Sequence, residues 1–254
     1  MQPPFHGVAV ALLTLFDDDG ALDAPATADL ASRLVDAGVT AVVVAGTTGE
    51  ASFLDASERV TLLDVVVDRV AGRVPVVAGT GAATTPQAAA FTADAVAHGA
   101  DAVLALSPPG ASDPRHYYEE VSRSAGDIPV LAYHYPKVSA PGIAVEALPD
   151  LPVAGLKDST GDAERLLHEL EVFDRPLYTG SPAILTLAGP LGCAGAILGL
   201  ANAAPELCAA ALAGDAEAQR ALGGPIRQAR DGFPHGLKRL AAERWGTSTA
   251  CRSG

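Results

Sequence analysis

Eight short apolar segments alternate with helix-forming segments along almost the whole chain, and this alternation constrains the fold more than any other feature. Each apolar segment is nearly continuous, which is typical of parallel strands that are covered on both faces. Because parallel strands are joined by long, usually helical crossovers, the pattern predicts a series of βα units. The predicted strands are residues 7–14, 41–45, 74–79, 102–106, 129–133, 153–158, 176–179 and 195–198.

The helix-forming segments have recognisable ends. Asp23 and Asp55 precede two of them as predicted N-caps, and Glu58 completes a capping box with Asp55. Gly38 and Gly99 end two helices, and each is followed by a similar step into the next strand. A chain built from repeated βα units is expected to show this recurrence.

Eight such units in 254 residues predict a closed (β/α)₈ TIM barrel, whose typical length is about 250 residues. The alternative is a doubly wound open sheet, but the first strand lacks the glycine-rich turn of dinucleotide-binding sheets. We expect a single domain over residues 1–254, with the barrel in residues 1–204. The last barrel helix and a short C-terminal helical extension are expected in residues 205–245, and a flexible tail in residues 246–254.

Composition excludes several classes of partner. The formal net charge of −13 disfavours binding to nucleic acid or to an anionic membrane. No apolar run approaches the roughly 18 residues of a membrane span, and no signal-peptide pattern follows Met1. Cys193, Cys208 and Cys251 lack the spacing of metal ligands. We therefore expect a cytoplasmic protein with no metal ion.

A single lysine, Lys157, lies at the end of the predicted sixth strand, in an otherwise apolar segment. A buried ammonium group is costly unless it is paired or used. Desolvation lowers the pKa of a lysine, so that the neutral amine can attack a carbonyl carbon. Lys157 is therefore either a nucleophile that forms a Schiff base or a strand-end lysine whose head reaches water.

Other strand ends carry candidate residues, because a TIM barrel has its chemistry on the loops at the carboxyl ends of its strands. The second strand is followed by Gly-Thr-Thr-Gly-Glu, which is either an ordinary turn or a site where N–H groups and hydroxyls bind a carboxylate or phosphate. Tyr133 ends the fifth strand and is either a packing residue or a proton shuttle. The predicted substrate-binding residues are Gly46, Thr47, Thr48, Gly180 and Ile197.

Three motifs in this order resemble the dihydrodipicolinate synthase/N-acetylneuraminate lyase family of class I pyruvate-dependent aldolases. They are Gly-Thr-Thr-Gly-Glu at 46–50, Tyr-His-Tyr-Pro at 133–136, where the family usually has Tyr-Asn-x-Pro, and Gly-Leu-Lys-Asp-Ser at 155–159. The resemblance implies a TIM-barrel lyase without a cofactor. It also implies a 2-keto acid and an aldehyde as small-molecule partners, and a homo-oligomer, either a dimer or a tetramer.

The resemblance further implies a mechanism. Lys157 attacks the keto carbon of pyruvate, or of a 2-keto acid that releases pyruvate, and forms an imine. The protonated imine withdraws electrons, so that the adjacent carbon can make or break a carbon–carbon bond. Tyr133 moves the proton, and the turn at Thr47 and Thr48 holds the carboxylate. Glu50 is expected to be a scaffold or interface residue rather than an acid catalyst.

Two departures make this chain an atypical member in its second-substrate site. The synthases carry Pro-Tyr-Tyr after the fourth strand, and one of these tyrosines completes the proton relay of a neighbouring subunit. This chain has Ser-Pro-Pro-Gly-Ala at 107–111. An arginine that binds the aldehyde's carboxylate is also missing, where this chain has Lys137 and Val138. We therefore expect a poor dihydrodipicolinate synthase that disfavours charged aldehydes.

The function predicted from the sequence is that of a Schiff-base-forming aldolase. A 2-keto-3-deoxy sugar acid is the favoured substrate, because that branch of the family often has Tyr-Asn-Tyr-Pro where Tyr133 begins the motif here. Dihydrodipicolinate synthase and a catalytically idle 2-keto-acid-binding protein are the alternatives, and a phosphate-binding isomerase would leave Lys157 without a role. His134 is either structural or a hydrogen-bond partner of a substrate hydroxyl.

Overall fold

Eight parallel strands form a closed barrel in sequence order in the computed structural model, which describes residues 2–253. The barrel closes where β8 pairs with β1, in a register that aligns Gly7 with Gly195. The predicted TIM barrel is thereby confirmed. The strands are β1 Gly7–Ala11, β2 Ala41–Val44, β3 Val76–Gly79, β4 Ala102–Leu106, β5 Val130–His134, β6 Gly155–Asp158, β7 Leu177–Thr179 and β8 Gly195–Leu198.

The first strand is shorter than predicted. It ends at Ala11 because the chain then leaves the sheet and bonds to side chains and loops. The N–H of Leu13 donates to the Asn202 side chain at 3.1 Å, and the Thr14 hydroxyl donates to the carbonyl of Gly49 at 2.7 Å. Apolar residues continue past the strand because this loop is also buried.

Helices surround the barrel and end as their capping residues predict. The Asp23 side chain accepts from the N–H of Ala26, and Asp55 and Glu58 form the predicted capping box. None of the helices in the described range is long and apolar enough to cross a membrane. The helices are α1 Ala24–Asp36, α2 Ala56–Val70, α3 Thr85–Ala97, α4 Arg115–Ala125, α5 Ala163–Val172, α6 Leu185–Ala188, α7 Pro205–Leu212, α8 Ala216–Ala221, α9 Gly223–Arg230 and α10 His235–Trp245.

Two connections differ from a regular (β/α)₈ pattern. The crossover from β5 to β6 is a 3₁₀ helix at Val145–Asp150 that contains Pro149, where a full α-helix is usual. Within the expected C-terminal helical region, residues 216–230 form two helices, α8 and α9, which meet at Leu222. The C-terminal helices α9 and α10 then bring side chains to the carboxyl end of the barrel.

The core has two layers, one inside the barrel and one between the strands and the helices. Inside, Phe5 and Tyr178 close the amino-terminal end, where the Tyr178 phenol donates to the carbonyl of Phe5 at 2.8 Å. Their ring centroids are 4.5 Å apart. These two rings pack at the end of the barrel opposite the strand ends that carry the candidate site.

The C-terminal segment, which the sequence predicts to be a flexible tail, contacts the barrel through Arg252 and Ser253. Residues 246–253 have no regular secondary structure, but the Arg252 guanidinium donates to Glu58 at 2.6 and 2.7 Å. The backbone N–H groups of Arg252 and Ser253 donate to the Glu50 carboxylate at 2.9 and 2.8 Å. The carboxylates of Glu50 and Glu58 bind the segment, and no local sequence pattern indicates these contacts.

A buried ion pair lies beneath this segment. Lys238 Nζ is 2.7 Å from Glu50 Oε1, and the two side chains are 0% and 2% exposed. Burial raises the pKa of Glu50, but hydrogen bonds from Lys238 and Ser253 hold it below its ordinary value. Glu50 is therefore an ionised scaffold residue, as expected from the sequence.

We expect Lys238→Met to destabilise the protein by about 3–5 kcal/mol, because it leaves the buried Glu50 carboxylate without its cation. The measurement is urea-induced unfolding at neutral pH. Lys137→Met, which changes an exposed lysine, is the matched control and should stay within about 0.5 kcal/mol of the wild type. Glu50→Gln in the Lys238→Met background should recover part of the loss. A Lys238→Met protein as stable as the wild type would show that the pair contributes nothing.

Candidate active site

Lys157 and Tyr133 lie side by side at the carboxyl end of the barrel. They are register partners on β6 and β5, and both residues are only 5% exposed. Lys157 Nζ is 4.1 Å from the centroid of the Tyr133 ring. The pleat of two adjacent parallel strands turns both side chains to the barrel interior, so the structure brings together the residues that the sequence selected.

Burial determines the charge of Lys157. It lowers the pKa of the amine from 10.5 to about 7. Lys157 has no carboxylate partner within residues 2–253. The adjacent Asp158 faces the other side of the strand and accepts from Arg165 Nε at 2.7 Å. A substantial fraction of the Lys157 amine is therefore neutral, and nucleophilic, at neutral pH.

The Tyr133 phenol is protonated at neutral pH and lies among hydroxyl groups. Burial raises its pKa, and hydrogen bonds with Ser159 and Thr47 lower it by less. The Ser159 hydroxyl donates to the Tyr133 oxygen at 3.4 Å. Our sequence analysis gave Ser159 no role, although it follows Lys157 by two residues and can therefore face the same side of the chain. The three hydroxyls provide a route for a proton.

The predicted carboxylate-binding turn is a 3₁₀ turn at Thr47–Gly49 that follows β2. The backbone N–H groups of Thr47 and Thr48 are the first in this turn, and neither donates to an acceptor within residues 2–253. Ala45 and Glu50 flank the turn with φ of 51° and 54°, a region that costs non-glycine residues energy. The surrounding contacts therefore hold the turn in a defined shape.

Neighbouring loops support this shape. The Thr14 hydroxyl bonds the carbonyl of Gly49 at 2.7 Å. Asn202 donates to the carbonyls of Ala11 and Gly199 at 2.7 and 2.8 Å and so ties the end of β1 to the end of β8. Our sequence analysis did not select Asn202, because nothing around it marks a residue that connects two distant strand ends.

One cavity of about 280 Å³ contains most of the predicted site. Gly46 lies instead in a neighbouring cavity of about 420 Å³, which shares Thr47 and Tyr133 with the first. Within residues 2–253, no cluster of three or more His, Cys, Asp or Glu side chains is arranged to hold a metal ion. The predicted residues that line the smaller cavity are Thr47, Thr48, Tyr133, Lys157, Gly180 and Ile197.

Gly180 and Ile197 shape this cavity without polar side chains. A Cβ atom at Gly180 would lie 2.9 Å from Lys157 Cε, so only glycine leaves the lysine its space. Ile197 is 1% exposed and belongs to the same buried cluster inside the barrel as Tyr133. The absence of a side chain at Gly180 therefore leaves room for the Lys157 side chain in this cavity.

His134 has a structural role. Its Nδ1 accepts from the N–H of Ile143 at 2.8 Å, and its Nε2 lies 3.8 Å from an Asp158 carboxylate oxygen. Burial and, to a smaller extent, the charge of Arg165 lower the pKa of the imidazole to about 4, against the opposing effect of the Asp158 charge. His134 does not line either of the two cavities. It anchors the loop after β5, and of the two interpretations of His134 this geometry matches the structural one.

Comparison with known proteins identifies the family. The family model described as the dihydrodipicolinate synthetase family matches residues 4–228. The chain belongs to this family. It is therefore a lyase, an aldolase that acts on carbon–carbon bonds.

Relatives cover most of the chain. An uncharacterized DapA-like lyase of Halobacterium salinarum is 36% identical, over 80% of this chain and 69% of its own. A 4-hydroxy-tetrahydrodipicolinate synthase of Pseudomonas aeruginosa is 37% identical, over 85% of this chain and 78% of its own. The dihydrodipicolinate synthase of Aquifex aeolicus is similar in structure, with a TM-score of 0.89 at 29% identity, over 98% of this chain and 91% of that one. A dihydrodipicolinate synthase of Acinetobacter baumannii complexed with pyruvate has a TM-score of 0.89 at 26% identity, over 98% of this chain and 92% of that one.

The departures from the family pattern lie beside Tyr133. Pro109 and Val138 belong to the two segments where the sequence analysis expected the departures from the family pattern, and both line the 420 Å³ cavity. Tyr135 stacks on Tyr133, with ring centroids 6.1 Å apart and an interplanar angle of 13°. Both segments therefore border the cavity that shares Tyr133 with the Lys157 cavity.

Proposed function

We propose that this protein is a Schiff-base-forming class I aldolase that binds pyruvate, or a 2-keto acid that releases pyruvate, through Lys157. The observation that carries the proposal is the buried Lys157 amine, whose pKa is about 7, in a cavity it shares with the Tyr133 phenol. A structural relative, the Acinetobacter baumannii synthase, was solved in complex with pyruvate. A catalytically idle keto-acid-binding protein would need neither residue.

Each part of the site has a role in this proposal. The N–H groups and hydroxyls of Thr47 and Thr48 bind the carboxylate of the keto acid. The neutral Lys157 amine attacks the keto carbon, and the carbonyl oxygen leaves as water once the imine forms. The protonated imine accepts electrons from the adjacent carbon, which makes or breaks the carbon–carbon bond. Tyr133, with Thr47 and Ser159 beside it, carries the proton to and from the reacting atoms.

For the substrate, we propose a 2-keto-3-deoxy sugar acid. The hydroxyls of Ser159, Thr160 and Ser181 line the cavity together with Lys157 and can bind the hydroxyl groups of a sugar chain. The alternative is the dihydrodipicolinate synthase reaction, which is supported by relatives that carry this name at 35–37% identity. Turnover assays with both substrates separate the two reactions.

We also propose that the protein is a homo-oligomer, either a dimer or a tetramer. Large apolar side chains that stay exposed in the single chain support this proposal, among them Phe53 and Leu167, which are 48% and 53% exposed. Light scattering at micromolar concentration measures the mass. A monomer would contradict the proposal.

Reductive trapping tests the proposed chemistry. Borohydride added with pyruvate should increase the intact mass by one reductively attached pyruvate. Trypsin does not cleave at a modified lysine, so the adduct should appear in the peptide 138–165, which is cut at Lys157 in the free protein. Lys137 and Lys238, the other two lysines, are internal controls. An unchanged mass with pyruvate and with several larger 2-keto acids would contradict the proposal.

We expect the rate of imine formation to depend on pH with a midpoint near the Lys157 pKa of about 7. Below that pH the amine is mostly protonated, so the rate should fall about tenfold per pH unit, and it should level off about one unit above. Quenched trapping at saturating pyruvate measures the rate. A rate that still rises tenfold per unit between about pH 8 and 10 would indicate an ordinary lysine.

A further inference from the structure

Glu50 connects the carboxylate-binding turn to the C-terminal segment. Its backbone closes the turn, because the Glu50 N–H donates to the carbonyl of Thr47 at 3.2 Å. Its buried side chain bonds to the far end of the sequence. Oε2 accepts from the N–H of Arg252 at 2.9 Å, and from the N–H and the hydroxyl of Ser253, both at 2.8 Å. Lys238 Nζ lies 2.7 Å from Oε1. One residue therefore joins the turn to the C-terminal segment.

The turn depends on such contacts because its backbone is strained. Glu50 has a φ of 54°, in the left-handed region that favours glycine. A non-glycine residue keeps this conformation only where the surrounding structure determines it. The Glu50 carboxylate is charged, and hydrogen bonds to a charged group are stronger than those to a neutral one. The donors around this carboxylate therefore bear directly on the shape of the turn.

Arg252 anchors the C-terminal segment to the barrel. Its guanidinium donates to both carboxylate oxygens of Glu58 at 2.6 and 2.7 Å. It also donates to the carbonyls of Gly20 and Phe53 at 2.7 and 2.9 Å, and its Cζ lies 4.5 Å from the centroid of the Phe16 ring. Because all these contacts share one side chain, its removal should release the backbone N–H groups that donate to the Glu50 carboxylate.

The C-terminal segment also reaches the turn through the loop after β1. The Thr14 hydroxyl in this loop donates to the carbonyl of Gly49, the last residue of the turn. Gly20, whose carbonyl accepts from Arg252, lies in the same loop. The segment is therefore bonded to the turn directly, through Glu50, and indirectly, through the loop that carries Thr14.

We propose that Glu50, Arg252 and Ser253 are positioning residues, which hold the carboxylate-binding turn in the shape that binds the keto acid. The inference rests on the proposed function, because that function assigns the keto-acid carboxylate to the turn. The three residues do not line the cavity that contains Lys157, so they act through the turn and not by contact with the substrate. They determine the affinity for the keto acid and leave the chemistry of the Lys157 amine unchanged.

Borohydride trapping at a series of pyruvate concentrations tests the inference, because it measures the half-saturating concentration and the maximal rate separately. In Arg252→Gln, the half-saturating concentration should rise about tenfold, near the lower end of the range for losing a hydrogen bond to a charged group. The maximal rate should stay within about threefold, and its pH midpoint should stay near the Lys157 pKa of about 7. Arg252→Lys, which keeps a cation beside Glu58, should have an intermediate half-saturating concentration.

Ser253→Pro tests the same contacts without removing the anchor. Proline has no N–H and no hydroxyl, so this variant loses both hydrogen bonds from Ser253 to Glu50 and keeps the Arg252 guanidinium. The half-saturating concentration should rise at least about threefold. An unchanged half-saturating concentration in both Ser253→Pro and Arg252→Gln would overturn the inference. A loss of maximal rate alone would also overturn it, because the residues would then only stabilise the fold.

Arg244→Gln is the matched control. Arg244 also binds both oxygens of a glutamate, Glu206, donates to a backbone carbonyl, that of Ala203, and lies over an aromatic ring, that of Trp245 at 4.4 Å. None of these contacts is with the turn. The control should leave the half-saturating concentration within about twofold of the wild type. An equal rise in Arg244→Gln and Arg252→Gln would overturn the inference, because it would show a general effect of losing an arginine–glutamate pair.

Hydrogen exchange separates a failure of this inference from a failure of the proposed function, because it needs no substrate. The backbone amides of residues 46–54 should exchange faster in Arg252→Gln than in the wild type or in Arg244→Gln. If the wild type traps pyruvate, but neither the exchange nor the half-saturating concentration changes in Arg252→Gln, the positioning role is overturned and the aldolase is not. If the wild type traps no keto acid, the proposed function fails, and the positioning role fails with it.

Discussion

Lys157→Met should abolish reductive trapping of pyruvate and lower turnover on the order of 10⁴–10⁶-fold, the scale on which enzymes lose activity with their nucleophile. Methionine fills a similar volume but has no amine, so the cavity should keep its shape. Mass spectrometry after borohydride treatment and an aldolase assay measure the two effects. Lys137→Met is the control, since Lys137 lies in the same cavity. The Lys137→Met variant should still form the pyruvate adduct on Lys157.

Lys157→Met should also make the protein more stable, because burying the protonated Lys157 amine lowers the free energy of unfolding. The pKa of the amine is about 7 when folded and near 10.5 when unfolded. The protonated amine is therefore penalised in the folded state by a few kcal/mol below about pH 7. The penalty falls as the pH rises towards 10.5, because only the unfolded chain then holds the proton.

We therefore expect Lys157→Met to have a higher Tm than the wild type at pH 7, and the difference to shrink by about pH 9.5. Differential scanning calorimetry at the two pH values measures the Tm difference between the variant and the wild type. A variant that still traps pyruvate would refute the assignment of Lys157 as the nucleophile. A Tm difference that is the same at both pH values would show that burial of the protonated amine does not destabilise the protein.

Tyr133→Phe should lower turnover about 10²–10⁴-fold while imine trapping continues, because it removes one phenol oxygen and keeps the ring. The ring that lies 4.1 Å from Lys157 Nζ and stacks on Tyr135 stays in place. The phenol is the group that the Ser159 and Thr47 hydroxyls contact. Steady-state kinetics and borohydride trapping on the same preparation separate proton transfer from binding.

Tyr178→Phe is the matched control for this substitution. It also removes a buried phenol inside the barrel, but one that bonds the carbonyl of Phe5 at the closed end. It should reduce stability and leave turnover within a few fold of the wild type. Turnover of Tyr133→Phe within about twofold of the wild type would identify Tyr133 as a packing residue. Equal losses in both variants would point to a general effect of removing a buried phenol.

The sequence determined the fold of this protein and the placement of Lys157 beside Tyr133. Continuous apolar segments that alternate with helices require a parallel sheet covered on both faces, and eight of them in 254 residues close a barrel. Strand neighbours in such a barrel follow sequence order, so the ends of β5 and β6 had to meet. Lys157 and Tyr133 could therefore be placed together before any coordinates were known, because their positions depend on local periodicity alone.

Only the tertiary structure decided what surrounds this centre. Arg230 reaches the cavity because α9 returns over the open end of the barrel, and Glu50 holds Arg252 across 202 residues of sequence. His134 is structural because the loop carrying Ile143 folds back onto it. These contacts depend on how long connections pack against one another. A charge on an exposed helix end or in a C-terminal segment looks the same in the sequence whether or not it reaches the site.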